Sequence, residues 1–177
     1  MSGKIAMVLS GFPRRSETFA LNEVWALEQR GALAAIFATK AGEPVATQPA
    51  SQALLGKVQV LTECEGAPQA EEVIRLLNGI RVSAIHGYFA HAPAEIAELV
   101  SMQLGIPFGF SVHARDARKV TPEILSARAR KAACVVACNR DVAWELQDSG
   151  AQVHLVPHGV DLERFAPQAF PDRKSVV

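Results

Sequence analysis

The stretch IAMVLSGFPRRSETFALNEVWALEQRG, residues 5–31, decides the fold class. Residues 5–9 form an apolar run of strand length, too short for a helix that must bury a stripe. A polar segment follows, with Gly11 and Pro13 to turn the chain. The period then changes: Ser16 can cap a helix with Glu17 in its first turn, and Ala20, Val24 and Leu27 share one face before Gly31 stops it. Strand, loop and amphipathic helix in that order make a β-loop-α unit, the connection that parallel strands require.

The alternation continues along the chain. Apolar runs at 33–38, 58–61, 84–86, 108–112, 134–137 and 153–156 read as strands. Residues 69–77, 122–130 and 141–148 read as helices, as does the segment that Pro93 opens and Gly105 closes, with Ile96, Ala97, Val100 and Leu104 on its apolar side. Residues 41–56, rich in Ala, Gln and Pro, read as an irregular loop. The pattern predicts a doubly wound, Rossmann-like α/β domain with a parallel sheet of about seven strands.

Composition narrows the class. The 177 residues suffice for one domain with a real core, 49% are hydrophobic and 20% charged, and 18 basic side chains balance 18 acidic ones. Nothing in this balance points to nucleic acid. No apolar run approaches the roughly 20 residues that cross a bilayer, and the start leads into strand-like sequence without a signal-peptide pattern, so a cytoplasmic location is expected. Cys64, Cys134 and Cys138 lack framework spacing, and the last two lie in an apolar run where a buried, reduced thiol is expected.

In an open parallel sheet, ligands bind beyond the carboxyl ends of the strands, where loops and helix amino termini gather. The residues that follow each strand are therefore the candidates. Gly11, Arg14, Arg15 and Ser16 follow the first, Gly87 and Tyr88 come after His86, and His113, Arg115 and Asp116 follow the fifth. Asn139 follows the sixth, and Pro157, His158 and Gly159 the last. The loop after the first strand lacks the G-x-G-x-x-G of a dinucleotide site, and neither a Walker loop nor a G-x-S-x-G elbow is present. His86, His91 and His113 sit on different elements without a compact ligand motif, so no metal is expected.

Three segments together carry a resemblance. They are Gly11-Phe-Pro-Arg-Arg-Ser-Glu-Thr-Phe19 with Asn22 and Glu23; His86-Gly-Tyr-Phe-Ala-His91 with Gly105-Ile-Pro-Phe-Gly-Phe-Ser-Val-His-Ala-Arg-Asp116; and Val135-Val-Ala-Cys-Asn139 with Val156-Pro-His-Gly-Val-Asp161 and Arg164-Phe165. In this order they resemble the first domain of family 4 glycosyltransferases, the bacterial exopolysaccharide and colanic-acid type. The resemblance implies one half of a GT-B fold: an acceptor-side domain over 1–166, and from 167–177 the start of a linker to a donor-binding domain. It implies transfer of a sugar from a nucleotide diphosphate donor to a saccharide or lipid-linked acceptor, with retention, in polysaccharide biosynthesis, and no obligatory metal or cofactor. It also implies a closing carboxyl-terminal helix that would pack back on this domain; without it, an apolar patch should be exposed near residues 160–177. The chain alone is expected to be inactive.

The same resemblance places His113 beside the donor sugar as the catalytic-site residue; the alternative is a loop histidine satisfied by backbone. Asp116 could orient that loop or cap the next turn, and His86 with Tyr88 could line an acceptor pocket or be structural. Arg14 and Arg15, flanked by Ser16, suit bidentate contact with phosphate or could be a solvated loop. Asn139 and Gly159 are expected to shape turns at the cleft. Residues 115–131 hold six basic and two acidic side chains, Arg115 among them, which could face a diphosphate-linked acceptor or anionic lipid in peripheral membrane contact, or form a solvated helix face. Two other functions stay open: half of a nucleotide-sugar epimerase, and a stand-alone sugar- or nucleotide-binding module.

Overall fold

The strands are β1 (Ile5–Leu9), β2 (Leu33–Ala38), β3 (Val58–Val60), β4 (Ala84–Gly87), β5 (Phe108–Val112), β6 (Cys134–Ala137) and β7 (Val153–Leu155). In the computed structural model, which describes residues 3–46, 48–160 and 162, with the side chains of 115 and 116 excepted, they form one sheet. Its order is β3-β2-β1-β4-β5-β6-β7 and every pairing is parallel. The chain winds outward from β1 in one direction and from β4 in the other, which is the doubly wound arrangement expected from the sequence.

The helices are α1 (Thr18–Gln29), α2 (Pro49–Leu54), α3 (Ala67–Leu76), α4 (Ala92–Leu104), α5 (Ala114–Ala117), α6 (Pro122–Lys131) and α7 (Arg140–Glu145). Alternation along each strand splits the core in two. Ala6, Val8, Ile85, Phe108, Phe110, Val112, Val135 and Ala137 point to the face covered by α3, α4, α6 and α7. Met7, Leu9, Leu33, Ile36 and Ala38 point to the other face, where Ala20, Leu21 and Val24 of α1 and Leu54 of α2 cover them.

That second cover stops short. Over β4 to β6 the face carries His86, Ser111 and Val136, which line an open groove with Glu23 and Ala26 of α1. Val156, Val160 and Leu162 are exposed beyond it, the last at 76%. Of the stretch 160–177 where an apolar patch is expected, Val160 and Leu162 are described and exposed; the rest of it and the expected domain start at 167 lie outside the described residues.

Local chemistry departs from the sequence reading in three places. Ser16 is exposed in a turn and does not cap α1, which begins at Thr18 with Glu17 in the cap position and no side-chain cap bond. The turn is closed instead by Glu17 N–H donating to the Arg14 carbonyl at 3.2 Å. Within 41–56, Pro at the first turn starts the six-residue α2. The helix expected over 141–148 begins one residue earlier, because Asn139 Oδ1 accepts the Val142 N–H at 3.0 Å, and it ends at Glu145 in a 3₁₀ turn.

Gly87 shows why the strand-end motif carries glycine. A Cβ there would lie 2.6 Å from both the Ala94 Cα and the Pro93 carbonyl oxygen, because the start of α4 packs directly on β4. Both are backbone atoms and cannot rotate away. Gly87→Ala is expected to cost about 2 to 3 kcal/mol through overpacking. That corresponds to a fall in melting temperature of about 5–10 °C for a domain of this size. An unchanged melting temperature would show that α4 does not press on β4 as described.

Candidate functional site

Register brings the strand ends together. Val112 pairs with Ala137, and Ala137 with Leu155, so the residues that leave β5, β6 and β7 emerge side by side. Cys138 N–H donates to the Val112 carbonyl at 3.2 Å and Val156 N–H to the Ala137 carbonyl at 2.9 Å, which extends the ladder into these loops. His113 therefore stands at the carboxyl edge, half-buried, beside His158 at 5.0 Å between ring centroids. Phe19, from the first turn of α1, reaches across to both, at 5.2 Å from His113 and 4.5 Å from His158.

Two more rings support His113 from within. Tyr88 lies 5.5 Å and Phe89 5.3 Å from it, centroid to centroid. Tyr88 is fully buried, so it meets the site through the His113 ring and does not line an open pocket. Burial, reinforced by the Glu23 carboxylate, pushes its hydroxyl far above the ordinary phenol range and keeps it neutral. A groove of about 610 Å³ opens from this ring cluster between α1 and β7, lined by Phe19, Asn22, Glu23, Trp25, His158 and Gly159. Gly159 is exposed and a Cβ added there would meet no atom within 4 Å, so it bounds the groove without shaping a close approach.

His158 carries its own orienting group. Glu23 Oε1 lies 3.6 Å from its Nδ1. Desolvation first and the neighbouring His113 second hold the His158 imidazole below its ordinary range, against the opposing pull of Glu23. His158, Glu23 and Phe19 are prominent in this site, yet the sequence reading assigned none of them a role. Their common signal is position, since each sits within a few residues of a strand end or a helix start.

The remaining candidates are distributed differently. His86 lies inside β4, and its Nε2 is 2.9 Å from the Ser111 hydroxyl on β5. It faces the uncovered side of the sheet, where it lines the open groove with Glu23 and Ala26. Arg14 donates to Glu17 at 2.8 Å and Arg15 to Glu43 at 2.8 Å, with Glu43 also accepting the Arg15 backbone N–H. Both guanidinium groups are thus held by carboxylates of the chain. His91 caps α4 at the β4 edge, where its Nε2 is 3.4 Å from Lys119 Nζ and 3.5 Å from Ser10 Oγ. The side chains of Arg115 and Asp116 lie outside the described residues.

The basic stretch is smaller than its sequence suggests. Arg128 is buried, donating to Glu98 at 3.0 Å and to the Ala90 carbonyl at 2.7 Å, and Lys131 reaches the same Glu98 at 2.7 Å. Two of the six cations thus tie α6 to α4, and of these Arg128 is buried while Lys131 stays largely exposed. No helix among the described residues is long and apolar enough to cross a membrane.

Burial lowers the His86 imidazole from 6.5 to about 4. The folded protein then binds fewer protons than the unfolded chain between those values, so stability must fall as pH drops through that window. Because the ring also borders the open groove, solvent screens part of this effect, and the loss from pH 7 to pH 4.5 is about 1–2 kcal/mol. Urea midpoints of the wild type and of His86→Gln, measured at both pH values, isolate this share from that of the carboxylates. Equal losses in the two proteins would show that His86 is not buried as a neutral ring.

Comparison with known proteins comes from two directions. The profile of Glycosyltransferase Family 4 matches residues 16–164, which spans α1, the ring cluster and the loop after β7. No curated protein matches by sequence. Among solved structures, Anabaena HepE in complex with UDP is 17% identical, with a TM-score of 0.66 over 90% of this chain. Acinetobacter baumannii MurG is 16% identical, with a TM-score of 0.52 over 79% of this chain. A sucrose-phosphate synthase from Thermosynechococcus elongatus is also 16% identical, with a TM-score of 0.52, and the match covers 92% of this chain and 93% of that one. This chain spans 45% of the length of HepE and 42% of MurG. At these identities the structural likeness speaks for the fold.

Proposed function

We propose a function from one premise: this chain belongs to Glycosyltransferase Family 4. It is the acceptor-side half of a retaining, GT-B glycosyltransferase that moves a sugar from a nucleotide diphosphate donor to a saccharide or lipid-linked acceptor in polysaccharide biosynthesis. Residues 1–166 form this half, and 167–177 begin the linker to a donor-binding domain. The enzyme works in the cytoplasm, with its acceptor delivered at the inner face of the membrane.

One observation carries the reading: His113 stands where β5 ends, backed by Tyr88 and Phe89 and in ring contact with Phe19 and His158, which line the groove. An imidazole held there can donate to a sugar hydroxyl or accept from it near neutral pH. Flat apolar rings beside a polar donor suit the two sides of a sugar, its C–H face and its hydroxyl rim. The other strand-end candidates, Arg14, Arg15, Asn139 and the Arg115–Asp116 turn, belong on this reading to the acceptor side.

The test is release of nucleoside diphosphate from a panel of nucleotide sugars by the protein that joins this chain to its donor-binding domain. Release that requires an added saccharide or lipid-linked acceptor supports transfer. Conversion of the donor sugar without acceptor would replace this reading with the epimerase, and saturable sugar binding without turnover would replace it with the binding module.

A further inference from the structure

We propose that His113, Cys138 and His158 form a site for a divalent cation of the zinc type. The three residues leave three adjacent strands, β5, β6 and β7, at the same edge. Their ligand atoms, one from each side chain, all lie within 4.8 Å of one another. Zinc bonds to imidazole nitrogen and thiolate sulfur place neighbouring tetrahedral ligands roughly 3.3–3.6 Å apart. The three groups must therefore close by about 1 Å, and His158, on an exposed loop, can supply this by rotating its side chain.

The donor set selects the metal. One thiolate and two imidazoles suit zinc and its borderline neighbours and disfavour magnesium or calcium, which want oxygen. Binding converts the Cys138 thiol to a thiolate and releases its proton to solvent, while three protein ligands leave a fourth position for water. A second independent feature is the Glu23 carboxylate, 3.6 Å from His158 Nδ1. A carboxylate on one ring nitrogen orients the imidazole and leaves Nε2 for the cation, the usual support around a metal-bound histidine. Phe19, Tyr88 and Phe89 enclose the His113 side in apolar surface.

The site differs from the histidine trio considered at the sequence level. Of His86, His91 and His113, only the last takes part; His86 is engaged with Ser111, and His91 sits by Ser10 and Lys119. One consequence rests on the transferase reading: a cation on His113 competes with the reacting sugar for the same imidazole, so zinc becomes an inhibitor of transfer. Metal binding itself does not depend on that reading.

The experiment uses the reduced, untagged chain titrated with cobalt(II), whose thiolate complexes absorb in the near ultraviolet by sulfur-to-metal charge transfer. The expected result is a saturable band with one equivalent, displaced by zinc. Cys138→Ser should abolish it, His158→Gln should weaken binding by at least about tenfold, and Glu23→Gln by about tenfold through lost orientation. Cys64→Ser should leave it intact. His158→Gln and Glu23→Gln alter exposed side chains, so they keep the test valid if Cys138→Ser fails to fold. Absence of the band, or a band that survives Cys138→Ser or follows Cys64 or Cys134 instead, would overturn the proposal. Inhibition by zinc of acceptor-dependent transfer, measured on the protein that carries the donor-binding domain, tests the consequence; a cobalt band in the isolated chain with no transfer by that two-domain protein would retain the site and reject the transferase reading.

Discussion

In the protein that joins this chain to its donor-binding domain, His113→Ala is expected to lower turnover by about 30- to 1000-fold while leaving the fold intact. The argument starts from position. β5 is buried along its whole length, and His113 is the first residue beyond it, delivered to the carboxyl edge with its ring fixed by Phe89 and Tyr88. A hydrogen bond aimed from such a fixed ring at the reacting sugar stabilises the transition state on the order of 2 to 4 kcal/mol. At about 1.4 kcal/mol per decade this gives the stated range. The stability cost is set by different contacts. His113 is half-buried, tilted against Phe19, Tyr88 and Phe89 and near-parallel to His158, so its truncation should cost about 1 kcal/mol. A melting temperature lowered by about 2–4 °C should accompany the kinetic loss. A destabilised variant whose folded fraction keeps full activity would assign His113 a structural role only.

The isolated chain should show no transfer above background with any nucleotide sugar. Leaving-group departure needs cations or backbone dipoles that neutralise a developing diphosphate, and such stabilisation commonly contributes the largest share of catalysis. The arginines best placed for it here are already committed: Arg14 to Glu17, Arg15 to Glu43, and Arg128 to Glu98. The chain also spans less than half of HepE. On the proposed two-domain reading, neutralisation comes from the donor-binding domain. Steady turnover by residues 1–177 alone would mean that the described edge holds a complete active site, and the two-domain account would fail.

The sheet was legible because its strands are short, apolar on both faces and separated by helices with a clear stripe. β1, β2 and β5 bury nearly every residue, so their runs stand out without any alternation. α2 was not legible, since six residues after Pro49 are too few to establish a period. The α1 cap was misplaced for a related reason: Ser16 has the right chemistry, but the Arg14–Glu17 turn extends the loop past it. The burial of Arg128 could not be read from a basic run, because its partners Glu98 and Ala90 come from a different part of the chain.

The site was legible in part. His113 follows from the end of β5 and the resembled segment together, and neither alone would have singled it out. The grouping of His113 with Cys138, His158 and Phe19 depends on the order of β5, β6 and β7 and on the reach of α1 across that edge. Strand order is a tertiary fact that no local pattern encodes. The same holds for Tyr88: its place in a strand-end motif suggests a pocket wall, while packing under Phe19 and against Phe89 makes it the floor beneath His113.

Retention at the anomeric carbon is read from the configuration of the product. The two-domain protein, given its nucleotide sugar and an acceptor, should form a glycoside whose anomeric proton coupling in NMR matches the configuration of the donor from the first minutes of reaction. A product of inverted configuration would contradict the account, as would an epimerised sugar formed equally fast without acceptor.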